Sequence, residues 1–145
     1  MVGVIVAVVA LLAATVFGVV WRSRNGVLRD RADAESDRGR DSMVFSPTDL
    51  GGPLGERATL VQFSSAFCAP CRATRRTLDE VAHMVDGVRH VEIDAESRLD
   101  LVRRLDVMRT PTVFVLDAGG RVVRRGSGQP RRADVIAALG VAMAS

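Results

Sequence analysis

Two cysteines stand three residues apart in this chain, Cys68-Ala69-Pro70-Cys71, between a stretch that reads as a strand and one that reads as a helix. They are its only cysteines, so they cannot form the disulfide framework with which small secreted domains replace a core. A close pair in an otherwise cysteine-free sequence points to chemistry. Its setting also constrains the fold. Thr59 to Phe63 (TLVQF) favours extended backbone. After it Cys71, Leu78, Val81, Ala82 and Val85 recur on one face at helical spacing, and Asp86-Gly87 stops the helix.

A cysteine at the start of a helix has a definite chemistry. Unpaired backbone N–H groups and the positive end of the helix dipole favour an anion there, which stabilises the Cys68 thiolate. Cys71 follows most of a turn later, so the two sulfurs can close a disulfide, and Pro70 suits a first turn that needs no N–H. Cys68 would attack a target disulfide and Cys71 would resolve the mixed disulfide. That cycle needs no cofactor. The alternative for these residues is a metal site, because His83 and His90 follow at nearly a Cys2His2 spacing. The gap between the histidines is too wide for the usual finger, and they fall on different elements. Both are read as surface or boundary residues, and no metal is expected.

The rest of the folded part alternates short apolar runs with helical ones. Val88 to Asp94 (VRHVEID) reads as a strand, and Leu99, Leu101, Val102 and Leu105 mark a short helix over Ser97 to Leu105. Thr112 to Leu116 (TVFVL) is nearly continuous apolar, the pattern of a central strand. Asp117-Ala118-Gly119-Gly120 is a hairpin turn into Arg121 to Arg125, and Gly126-Ser127-Gly128 breaks that strand. Pro130 opens a last helix with Val135, Ile136, Leu139 and Met143 on its inner face. The order β-α-β-α-β-β-α gives an α/β fold, a mixed central sheet flanked by helices.

The first 42 residues are of another kind. Val2 to Val20 carry no charge, and Thr15 is their only polar side chain. About 20 helical residues span the hydrocarbon of a bilayer, and Trp21 would sit at the boundary. With no basic n-region, an apolar run longer than the usual h-region, and its small residues Ala13 to Thr15 in mid-run, residues 1–21 read as one uncleaved transmembrane anchor. Arg22, Arg24, Arg29 and Arg31 follow it, which by the positive-inside rule puts the soluble domain in the cytoplasm. Residues 22–42 mix both charges without periodicity and read as a flexible linker before the domain at 43–145. The net charge of +3 is small and acids are interspersed with the 20 basic residues, all arginine, so no nucleic-acid surface is indicated.

The stretch from Thr59 to Leu139 resembles thioredoxin: TLVQFSSAFCAPCR, then VEID, then TPT around Pro111. The resemblance implies the thioredoxin-like fold, a cis bond at Thr110-Pro111 facing the cysteine pair, and a Thr110 backbone that pairs with an incoming substrate strand. It implies catalysis by Cys68 and Cys71, substrate contact through Phe67, Ala69, Pro70, Thr110 and Pro111, and no cofactor or metal. Its partners would be protein thiols and disulfides and an electron donor not identified by sequence. The short connection between the Cys71 helix and the next strand lacks the insertion usual in cytochrome-maturation and peroxiredoxin-like relatives.

This chain departs from the family at several positions. Gln62 occupies the place of a buried Asp that assists proton transfer at the second cysteine. Phe67 replaces a common Trp, Ala69 the usual Gly, and His90 falls near a position often held by Lys. The family's first strand and helix shrink to Met43–Phe45 and Pro47–Leu50. Arg75 and Arg76 read as a solvated helix face, while Arg72 either shares it or supports the Cys68 thiolate. The reading is a membrane-tethered thiol–disulfide oxidoreductase. The alternatives are an interaction or chaperone module on the same fold, and an extracytoplasmic thiol–disulfide protein for cytochrome maturation or disulfide formation.

Overall fold

The computed structural model describes residues 2–24, 28–30 and 43–145. Helix α1 covers Val2–Arg24, strand β1 Arg29–Asp30, helix α2 Pro47–Leu50, β2 Ala58–Ser64, α3 Ala69–Met84 and β3 Val88–Asp94. Then come α4 (Leu99–Arg104), β4 (Thr112–Asp117), β5 (Val122–Ser127) and α5 (Arg132–Met143). The sheet order is β1-β5-β4-β2-β3. Strands β2 and β3 are parallel and every other neighbouring pair is antiparallel. A parallel pair needs a crossover, which α3 provides, whereas β4 and β5 join through a tight turn. At that turn Gly120 has φ +81, and a Cβ there would lie 2.3 Å from the Phe45 carbonyl oxygen, so only glycine fits.

The expected α/β sandwich around a mixed sheet is what forms. Phe45, Phe63, Leu101, Leu105, Phe114 and Leu116 fill one side of the sheet. Leu60, Leu78, Val81, Val113, Val135 and Leu139 fill the other. Strand β2 is buried at every residue because helices cover both its faces. Its period-two alternation therefore sorts side chains between two cores: Val61 and Phe63 toward one, Leu60 and Gln62 toward the side of α3.

Several expectations are corrected. Residues 22–42 do not form one structureless linker, since α1 continues to Arg24 and β1 pairs Arg29 with Arg125 and Asp30 with Arg124. The open edge of β5 offers backbone partners that need no apolar pattern in the added strand. Residues 25–27 and 31–42 lie outside the described residues. Met43–Phe45 is not a strand, only a bridge between Val44 and Arg121 flanked by a hydrogen bond from Phe45 N–H to the Gly120 carbonyl. Pro47–Leu50 is helical as expected, closed by a Ser46–Asp49 capping box. Gly126 and Ser127 continue β5 instead of breaking it, because their backbones pair with β4. The last helix begins at Arg132, two residues after Pro130. In it Ile136 is exposed, while Ala138 and Ala142 take inner positions. Leu99 is likewise exposed, and Leu101 and Leu105 carry the packing there.

Along α1 the large apolar side chains described, from Ile5 to Trp21, are all at least 46% exposed, and neither core cluster includes any of them. Among the described residues no helix is long and apolar enough to cross a membrane.

Candidate functional site

At the C-terminal end of β2 the chain turns through Ser65, Ala66 and Phe67 into α3, and Cys68 is the N-cap of that helix. Its sulfur accepts the Cys71 N–H at 3.2 Å, the interaction by which an N-cap side chain satisfies an orphan donor of the first turn. Cys68 and Cys71 form a disulfide with Cα atoms 5.2 Å apart. Pro70 occupies the first turn. Cys71 is 3% exposed and lies on the inner face of α3, whereas Cys68 is partly exposed. The two sulfurs are thus unequal. One lies nearer solvent at the positive end of a helix, and the other is sheltered behind it.

Apolar side chains flank the disulfide. Phe67 is 99% exposed, and Ala69 and Pro70 are exposed beside it. The Thr110-Pro111 peptide bond is cis. Its loop is clipped to the cysteine loop: the Ser65 and Thr110 hydroxyls lie 3.0 Å apart, and the Cys68 N–H donates to the Ser65 carbonyl. Among the described residues no backbone–backbone hydrogen bond engages Thr110, and Met108, two residues earlier, is 83% exposed. Thr110 is thus tied to the cysteine loop through Ser65, while Pro111 is buried. Met108 and Ser65 were missed. An exposed methionine in a loop has no periodic signal, and a serine tie between loops distant in sequence has none either.

The other side of the pair is polar. A cleft of about 440 Å³ is lined by Cys68, Cys71, Arg72, Arg75, Glu92 and Asp94, together with residues 64–66. Under it lies Gln62, fully buried, whose Nε2 donates to the Cys71 carbonyl at 2.9 Å and to Ser64 Oγ at 2.8 Å. Its Oε1 is buried and has no partner among the described residues. Glu92 stands in register with Gln62 on the next strand and meets the Arg75 guanidinium at 2.5 Å. Burial disfavours its charge, but the Arg75 and Ser64 hydrogen bonds, with the Arg75 and His90 charges, hold its carboxyl below the ordinary range.

Arg75 is thus a paired residue and not simply part of a solvated face. His90 is a boundary residue, as expected, but its side chain is 6% exposed, with Nδ1 2.5 Å from Asp79 Oδ1. The reason is the pleat, which turns His90, Glu92 and Asp94 together toward α3. His83 lies on α3 with its Nδ1 2.7 Å from the Asp79 carbonyl, and among the described residues no cluster of three potential ligands forms.

A family model described as thioredoxin matches residues 54–140. The chain belongs to the thioredoxin family. It is 32% identical over 79 residues to a thioredoxin of Alicyclobacillus acidocaldarius subsp. acidocaldarius, covering 53% of this chain and 74% of that one. Thioredoxin H4-1 of Oryza sativa subsp. japonica is 29% identical over 84 residues, covering 57% of this chain and 64% of its own length. The match to human thioredoxin domain-containing protein 2 is 34% over 73 residues, 48% of this chain but only 13% of that protein. Among solved structures, chloroplastic thioredoxin z superposes with a TM-score of 0.55 at 29% identity, covering 62% of this chain and 81% of that one. These matches bear on the thioredoxin domain, and the disulfide described above stands within it.

Proposed function

We propose that this thioredoxin-family chain is a membrane-tethered thiol–disulfide oxidoreductase acting on protein disulfides, with Cys68 as nucleophile and Cys71 as resolving thiol. The observation that carries the reading is the asymmetric disulfide at a helix start, Cys68 capping α3 and Cys71 sheltered at 3% exposure. In the reduced protein the Cys68 thiolate attacks one sulfur of a substrate disulfide and expels a substrate thiolate. The Cys71 thiol then gives up its proton, attacks the Cys68 sulfur and expels the second substrate thiolate. Two electrons pass to the substrate and the Cys68–Cys71 disulfide is restored. A dithiol donor outside this chain returns it to the reduced form. Phe67, Ala69, Pro70, Thr110 and Pro111 supply an apolar, backbone-rich rim for the substrate segment. The open Thr110 backbone supports that role.

The tether is proposed from the sequence of residues 1–21 as a single-pass anchor, with the domain on the cytoplasmic side. In its support, α1 runs as one helix of 23 residues and leaves its apolar side chains outside the domain core. Large exposed apolar surface of that kind demands a cover.

The test is trapping with a disulfide-bonded protein substrate. Reduced Cys71→Ser should accumulate a mixed disulfide through Cys68 on non-reducing gels, and Cys68→Ser should accumulate none. Equal trapping by both variants, or none by either with wild type inactive, overturns the exchange mechanism. Labelling intact cells with a membrane-impermeant thiol reagent tests the side: reaction before lysis contradicts a cytoplasmic domain.

A further inference from the structure

The polar cleft beside the disulfide holds a charge arrangement that the exchange mechanism above does not use. On β2 Ser64 lines it and is neutral, as is the buried Gln62 bonded to Ser64. From α3 come Arg72 and Arg75, and from β3 come Glu92 and Asp94. Behind them His90 is held by Asp79. These groups are not equivalent. Asp94 Oδ1 accepts the backbone N–H of Glu96 at 3.0 Å, and Arg72 is exposed on the rim. Glu92 is three-quarters covered, its side chain 25% exposed, and it is gripped by Arg75.

Glu92 is bound to the cysteine helix through Arg75. Ser64 Oγ accepts from Gln62 Nε2. The other amide hydrogen of Gln62 goes to the Cys71 carbonyl. Gln62 thus ties Ser64 to the Cys71 carbonyl, beside a cleft that Cys68, Cys71 and Glu92 line. Gln62 cannot exchange a proton. Among the described residues the carboxylates in that cleft, Glu92 and Asp94, are one strand over, and Glu92 is the one in register with Gln62.

We infer that the Glu92–Arg75 pair sets the acid–base behaviour of the reduced cysteines, with Glu92 as a positioning residue acting through Arg75. The inference rests on the thiol–disulfide reading. Its physical content is cancellation. Together the two charges present little net field to a thiolate in the cleft; separately they push it in opposite directions. Glu92→Gln leaves Arg75 as an uncompensated cation, which favours the thiolate. Arg75→Met leaves a bare carboxylate, which disfavours it.

The experiment uses the full chain in detergent micelles, reduced, with iodoacetamide alkylation of Cys68 and Cys71 followed by mass spectrometry across pH. In Glu92→Gln the apparent thiol pKa should fall by about half a pH unit or more, and below the wild-type pKa alkylation should run about threefold faster. In Arg75→Met both changes should reverse sign. The double variant should return close to wild type. Opposite shifts that cancel support the assignment. Superimposable profiles overturn it, and so do shifts in the same direction, which signal a loosened fold. If wild type fails the trapping test while these shifts appear, the exchange reading fails and the charge assignment survives. If wild type traps substrate and the profiles coincide, only the charge assignment fails.

Discussion

Replacing Gln62 by Glu keeps the shape of the side chain and exchanges an amide NH2 for an oxygen, at a position with no solvent exposure. That NH2 donates to the Cys71 carbonyl and to Ser64 Oγ, so the new oxygen, when ionised, faces the carbonyl without a proton to offer. Burial, the carbonyl and the neighbouring Glu92 carboxylate all disfavour the charge. The introduced carboxyl should titrate roughly two to three units above its unfolded value near ~4.3. The sign follows from the raised folded-state pKa. Below the unfolded pKa both states hold the proton and the penalty is limited to a weakened hydrogen-bond set, about 1 kcal/mol. As pH rises the unfolded chain releases its proton first, and stability falls by about 1.4 kcal/mol per unit until the folded pKa is passed. At pH 7.5 the total deficit should be about 4–5 kcal/mol. Urea unfolding of the oxidised chain, followed by circular dichroism at pH 4.5, 6.0 and 7.5 beside wild type, measures it. A difference that stays constant over that range would refute the reasoning, because it would mean that the carboxyl reaches water.

Two further predictions concern the scaffold. Phe114 packs against Phe45 and Phe63 at ring-centroid distances of 5.5 and 5.8 Å and lies under the Arg125 guanidinium, so Phe114→Ala should cost about 3–5 kcal/mol. Calorimetry should then show a Tm at least about 12 °C lower, and a drop of only a few degrees would contradict this packing. Asp49 is partly desolvated, which raises its pKa, but Arg104 and the Ser46 cap more than offset this and hold it below the ordinary range. A depressed folded pKa contributes stability above the unfolded value near ~3.9 that is lost as pH falls through the folded pKa. Asp49→Asn should therefore lower stability at pH 7 by about 1 kcal/mol and flatten the acid limb of the stability curve. An unchanged acid limb in denaturant titrations would refute it.

Local patterns carried much of this protein. The alternation of β2, the helical spacing of α3 and the turn at Gly120 are short-range consequences of pleat, helix period and positive φ, and they place Cys68 at a helix start with no knowledge of the remainder. The cysteine chemistry was legible for the same reason, because a C-x-x-C pair and its helix lie within one stretch of chain. Errors fell where only distant backbone or packing decides. The edge of β5 recruited Arg29–Asp30 and kept Gly126 and Ser127 in the strand. The surface of the sheet chose Ala138 and Ala142 over Ile136 for the inner side of α5.

The sequence by itself determined the α/β class, the disulfide pair and the order of elements from β2 onward, because each follows from spacings within a few residues. The tertiary structure alone decided what surrounds the pair. Gln62 meets the Cys71 carbonyl nine residues away in the chain, Ser65 meets Thr110 across forty-five, and Arg75 meets Glu92 between a helix and a strand. Hydrogen bonds and ion pairs act over a few ångströms in space whatever the separation along the chain. The groups that tune the cysteines therefore become visible only once β2, β3 and α3 are folded against one another.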